Sequence, residues 1–149
     1  MPGYKGHIVG GLIIGTGAVY ISTILGWLHP SITRLTIIFG LILAGALFPD
    51  VDTDSKGQNL FYSILVIVDI YLIMKKEYKD AAILGFLALL PALGHHRGWT
   101  HTWWAMFLVP IAILVLAIFV FRYSWHTAIV FYFATTIGYF SHLVLDFFL

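Results

Sequence analysis

The sequence predicts an all-α fold, a polytopic bundle of about six transmembrane helices forming one domain over residues 1–149 with no soluble part. Three observations predict it. The 149-residue chain is 60% hydrophobic and only 10% charged, where a soluble domain carries roughly 25% charged residues. Its mean hydropathy is +0.95. Its charges fall in clusters between long apolar runs, the pattern expected when ionisable groups are excluded from hydrocarbon except where a function keeps them there.

A helix crosses a bilayer with about 20 apolar residues, within a range of roughly 17–25. Six segments are candidates: Ile8 to Leu28, Ile32 to Phe48, Asn59 to Met74, Ala81 to Leu93, Trp103 to Phe121, and His126 to the chain end. Pro49 and the acidic run Asp50-Val51-Asp52-Thr53-Asp54 stop the second, and Lys75-Lys76-Glu77-Tyr78-Lys79-Asp80 reads as a solvated connection after the third. The fourth is short and contains Pro91. The first carries His7 at its head and ends in Trp27-Leu28-His29-Pro30 without a small-residue cleavage site, so it reads as a retained helix and not a secretory signal. Gly11 and Gly15 in that segment form a small-xxx-small pair that would let a neighbouring backbone approach. No internal repeat is evident.

Composition also excludes partners. The net charge is +1 with eight basic residues, and these form no basic stripe of the kind that binds nucleic acid. There is no cysteine, which removes disulfides, thiolate ligands and a cysteine nucleophile. Any metal must be held by nitrogen and oxygen.

If all six segments cross, the chain alternates sides and each connection belongs to one face. His7, the acidic run, the stretch His95-His96-Arg97-Gly98-Trp99-Thr100-His101, and His142 with Asp146 near the end of the last segment then share the face of the N-terminus. His29, the lysine cluster, Arg122 and His126 fall on the other. Histidine positions played no part in assigning the helices, so this gathering is informative. His142 and Asp146 are spaced i, i+4 and project from one helical face, where they could share an ion; the competing reading is an internally hydrogen-bonded pair. For Asp50 and Asp52, placed in an extended turn after Pro49, the alternative is a solvated helix terminus, and for His95, His96 and His101 it is an interfacial location. Asp69, deeper in the third segment toward the other face, reads as an internal partner or a snorkelling carboxylate.

Three motifs carry a resemblance: Leu47-Phe48-Pro49-Asp50-Val51-Asp52, His96-Arg97-Gly98-Trp99-Thr100-His101-Thr102, and Gly138-Tyr139-Phe140-Ser141-His142-Leu143-Val144-Leu145-Asp146. With His7 they resemble the LexA-regulated, inner-membrane-associated family of metal-dependent hydrolases over essentially the whole chain. That family looks distantly similar to zinc-dependent phospholipase C and the S1/P1 nucleases. The resemblance implies phosphoester hydrolysis at a cluster of divalent ions, zinc first with manganese or iron as alternatives, in the inner membrane. By motif position the metal ligands would be His7, Asp50, Asp52, His96, His101, His142 and Asp146, while His95 has no fixed counterpart.

Seven such ligands exceed one tetrahedral zinc and suit two ions with open positions. Two ions activate water and clamp a phosphoryl group. Asp52 and His101 are the catalytic candidates among the ligands, and Arg97 and Lys56 the candidates for binding substrate phosphate. A site at headgroup level makes a membrane lipid or lipid-linked phosphoester the expected substrate, with a homo-oligomer left open. The rival readings are a metal-ion or proton transporter or channel, whose pathway would need polar groups across the bundle, and a non-catalytic scaffold holding a structural metal. Arg34, Lys75, Lys76, Lys79 and Arg122 outweigh Lys5, Lys56 and Arg97, so positive-inside reasoning turns the site to the extracytoplasmic side.

Overall fold

The computed structural model describes residues 3–52, 56–92 and 99–148, with the backbone alone for Asp52, Leu87 and 90–92. Six α-helices account for most of these residues: α1 (Tyr4–Ile24), α2 (Ile32–Leu47), α3 (Lys56–Met74), α4 (Tyr78–Ala92), α5 (Trp103–Val115) and α6 (Trp125–Phe148). No strand occurs among the described residues. A 3₁₀ turn, Phe48–Asp52, follows α2; a second, Trp99–His101, precedes α5; and α5 runs on into a π-helical turn, Leu116–Val120. Five of the helical stretches are long and apolar enough to cross a membrane, α2 and α5 when their adjoining turns are included. The exception is α4, with 15 residues and a length of about 22 Å against a hydrocarbon core of about 30 Å.

Two expectations need correction. The first helix starts at Tyr4, not Ile8, which puts His7 on its opening turn instead of ahead of it. The segment after α2 is helical, not extended: Phe48–Asp52 continues as a 3₁₀ turn with Val51 fully buried, because that apolar side chain has an interior to enter.

The centre of the bundle is α6, which packs against α1, α2 and α5. Its contact with α2 is backbone on backbone. A methyl group on Gly138 would fall on the Ile42 carbonyl oxygen and lie 2.9 Å from the Ala46 nitrogen, and one on Gly45 would fall on the Thr135 carbonyl oxygen. In a membrane, where lipid competes equally well for apolar surface, such close packing between small residues is a main source of helix association. Gly11 and Gly15 do the same for α1: a methyl on Gly11 would lie 3.0 Å from Ala46 Cβ, and one on Gly15 would lie 2.8 Å from Ile42 Cδ1. These contacts bring the N-terminal end of α1 to the C-terminal ends of α2 and α6.

The remaining helices, α3 and α4, pair as a hairpin across a short connection in which Lys76 takes a φ of 62°. The hairpin touches the rest of the bundle at two levels. At one end both helices contact the Phe48–Asp52 turn. At the other, Leu72, Ala81 and Leu84 pack with Leu65, Val68, Leu116 and Val120.

Candidate metal centre

Four helix ends meet where α1 begins and α6 closes. His7 comes from the first turns of α1, Asp50 from the turn after α2, His101 from the turn before α5, and His142 and Asp146 from the last turns of α6. His142 is fully buried and His7 is 2% exposed. Their rings stack with centroids 3.7 Å apart and planes at 15°, and His101 meets His142 edge-on at 5.4 Å.

The polar atoms of this cluster are close without being hydrogen-bonded to one another. His142 Nε2 lies 3.4 Å from Asp146 Oδ2 and 3.7 Å from Asp50 Oδ1, and His101 Nε2 lies 3.6 Å and 3.8 Å from the same two oxygens. His7 Nε2 is 3.4 Å from Asp146 Oδ1. An N–H···O bond spans roughly 2.7–3.2 Å, so these separations are too long for one. The edge of a ligand tetrahedron is about 3.3–3.6 Å when four N and O donors stand 2.0–2.2 Å from a common ion, and the separations to Asp146 fall in that range while those to Asp50 are slightly longer. His7 Nδ1, His142 Nε2 and Asp146 Oδ1 are buried with no hydrogen-bond partner among the described residues. Leaving such atoms unsatisfied away from water costs about 1–3 kcal/mol each. Two groups of donors, His7–Asp50–His142 and His101–His142–Asp146, have one ligand atom per residue within 4.8 Å of each other.

The shell around the cluster orients it. His142 Nδ1 is 2.7 Å from the Ala46 carbonyl oxygen. A carbonyl only accepts, so Nδ1 carries the proton and Nε2 presents its lone pair to the cluster. His101 Nδ1 is 3.2 Å from the Thr100 hydroxyl. The Tyr139 hydroxyl donates to the Thr100 carbonyl and ties the turn that carries His101 to α6. Sequence reasoning passed over Ala46 and Tyr139. Tyr139 sits within the third motif, and Ala46 follows Gly45, so a small pair one turn before Pro49 was the available signal for a backbone near the site.

Of the sequence-derived ligands, the structure brings His7, Asp50, His101, His142 and Asp146 together. The side chain of Asp52 lies outside the described residues, as do His95, His96 and Arg97. Lys56, at the start of α3, is exposed on the same end of the bundle, with Nζ 5.2 Å from the Tyr4 ring centroid, within the range of a cation–π contact. His29, in the connection between α1 and α2, and His126, in the first turn of α6, are exposed at the opposite end of the bundle from the cluster. Asp69 stays apart, half-buried in α3 with Oδ1 unpartnered among the described residues.

No curated protein and no solved structure matches the chain at a significant level. A family model does, over residues 1–149. With five helices able to cross a bilayer, the chain is an integral inner-membrane protein and belongs to the YdjM inner membrane protein family.

Proposed function

We propose that this protein is a membrane-embedded, divalent-metal-dependent hydrolase that cleaves a phosphoester of a lipid or lipid-linked substrate. The observation that carries the reading is the convergence of five imidazole and carboxylate side chains at non-hydrogen-bonding separations of 3.4–3.8 Å, with three of their donor atoms buried and unpartnered among the described residues. Imidazole nitrogen and carboxylate oxygen donors without sulfur suit zinc, manganese or iron(II).

Asp146 favours two ions. Its Oδ1 faces His7, while Oδ2 faces both His101 and His142, so the carboxylate would have an oxygen to offer each of two ions. His142 has one free nitrogen and can serve one ion only, so the two donor groups cannot both use it. Five protein donors for two ions leave open positions, which is what separates a catalytic from a closed structural site. Divalent ions held here would supply Lewis acidity and a water acidic enough to attack phosphorus near neutral pH.

The chain's own residues would do the rest. Ala46 and Thr100 hold the His142 and His101 rings in the orientations that present Nε2. Asp50 and Asp146 would supply negative charge, and Asp50 would take the proton released by the attacking water and return it to the leaving oxygen. Arg97 and Lys56 are the candidates for the substrate's remaining phosphate oxygens. Beneath the cluster the described interior is mainly apolar, first Ala105, Met106, Tyr139 and Leu143, then Ile38, Ile42, Phe131 and Ala134, and the buried Thr135 and Thr136 return their hydroxyls to carbonyls of their own helix. That layering favours hydrolysis at one membrane face over transport, which needs polar groups across the bundle.

The test is elemental analysis of protein purified in mild detergent, followed by assay on phosphatidic acid, other phospholipids and a soluble phosphodiester. About two zinc, manganese or iron ions per chain and metal-dependent turnover of at least one phosphoester are expected. Protein that neither carries nor takes up any of these metals ends the reading.

A further inference from the structure

The geometry points to a built-in slot for one hydrocarbon chain of the substrate, between the α3–α4 hairpin and α5. Between the hairpin and α5 lies a cavity of about 510 Å³, well within the roughly 300–1,000 Å³ of ligand pockets. Phe48 and Trp99 stand at one end of it and Leu84 and Leu116 at the other. At the far end Leu72, Ala81 and Leu84 pack with Leu116.

Three features identify the occupant. The walls are hydrocarbon, and Thr135, which lines them, spends its hydroxyl on the Phe131 carbonyl at 3.0 Å. The cavity follows α5 from Trp104 to Leu116, about 18 Å at 1.5 Å per residue, close to the roughly 15 Å depth of one leaflet, which is half the hydrocarbon core. One lipid chain entering from headgroup level spans that distance. Leu108 and Ile111 on its wall are 55% and 42% exposed, so the slot is open sideways to lipid.

Continuity with the metal-ligand candidates sets what the chain is attached to. Phe48 is two residues before Asp50 and Trp99 two before His101, and each sits on the same 3₁₀ turn as that donor. Trp99 and Trp104 stack at 5.9 Å at this end, and indoles are enriched at the headgroup boundary. A chain lying in the slot therefore carries its head toward Asp50 and His101. The ligand class is an amphiphile with a phosphate ester at the interface and one chain inside the protein instead of in the bilayer. For its phosphate end this rests on the hydrolase reading; for its chain end it rests on the cavity.

The experiment uses purified full-length protein reconstituted in phosphatidylcholine vesicles with two photoreactive probes, a phosphatidic acid with a diazirine at the end of one acyl chain and the matching diacylglycerol. Peptide mapping after illumination should place the phosphatidic acid label on Leu84, Ile113 and Leu116, at the far end of the slot, in excess over Ile13 and Ile21, outward residues of α1. The Ala88→Leu/Ala112→Leu double variant should lower slot labelling by about tenfold, the effect of excluding a few methylenes, and leave Ile13 and Ile21 unchanged. Uniform labelling, equal slot labelling by both probes, or slot labelling unchanged in the double variant would overturn the inference. Turnover separates the two readings. Slot labelling by the phosphate probe without hydrolysis of any phosphoester keeps the slot and removes the hydrolase. Hydrolysis that is equal for long-chain and short-chain esters, without slot labelling, does the reverse.

Discussion

The imidazole of His142 donates from Nδ1 to the Ala46 carbonyl oxygen at 2.7 Å, a bond that crosses from α6 to α2 and leaves Nε2 facing Asp146 and Asp50. It exists because Gly45 and Gly138 let the two backbones touch. Helix packing and donor orientation are thus one feature. Gly138→Ala must push α2 away, since the added methyl meets backbone atoms that cannot rotate aside. We expect a loss of about 1–3 kcal/mol from overpacking together with weaker metal binding, read by thermal unfolding in detergent and by metal content. Gly17→Ala, where a methyl group meets nothing within 4 Å, is the control and should change neither. Unaltered metal content in folded Gly138→Ala would separate packing from site.

Tyr139 acts through another residue. Its hydroxyl holds the Thr100 carbonyl, and the Thr100 side chain touches His101 Nδ1, so Tyr139→Phe should loosen the His101 ring without removing a donor. The expectation is a metal affinity lower by about 10–100-fold, as for other partners of ligating residues, with the fold retained. Competition with a chromogenic chelator measures it. Thr100→Ser, which keeps the hydroxyl, should restore most of the affinity lost in Thr100→Val.

The crossing of the membrane by all six helices rested on counting apolar runs, and five met the length criterion while α4 did not. The alternation survives because α4, though short, returns to the Phe48–Asp52 turn. Gly3→Cys and Thr102→Cys should therefore label from one side of sealed inner-membrane vesicles and Lys76→Cys and Arg122→Cys from the other. The distribution of basic residues makes the outward side the expected one for the first pair. Labelling of Gly3→Cys and Thr102→Cys from opposite sides would separate His7 from His101 and dismantle the cluster.

Much of the candidate cluster was legible in the sequence because its chemistry is costly in a membrane. His142 and Asp146 at i, i+4 in an apolar helix announce themselves, and parity alone brings His7, Asp50 and His101 to the same end. What was not legible is what depends on backbone shape. The 3₁₀ course of Phe48–Asp52 follows from Val51 finding a buried place, which no local pattern reveals. The carbonyl of Ala46 has no sequence signature beyond the glycine before it. The cavity beside α5 is a gap between helices that each read as ordinary apolar spans, and a gap leaves no residue type behind it.

The sharpest contrast lies between the two ends of the bundle. His142→Ala and Asp146→Ala each delete a donor from a cluster in which His142 Nε2 and Asp146 Oδ1 are already buried without hydrogen-bond partners among the described residues. No water can take the place of a ligand at equal strength there, so both variants should lose bound metal and any metal-dependent turnover. Asp50→Ala, at the more open edge, should follow them. His29→Ala and His126→Ala remove exposed imidazoles at the opposite end and should keep the metal content of the parent protein. All five variants should be compared in one detergent after size-exclusion chromatography, since loss of metal from an aggregated protein carries no information. Chelator treatment of the parent protein gives the reference for complete loss, and re-addition of zinc tests whether the donors reassemble. If His29→Ala and His126→Ala strip the metal as fully as His142→Ala does, the ion is held elsewhere, and the cluster at the end of α6 is a packed polar core instead of a metal centre.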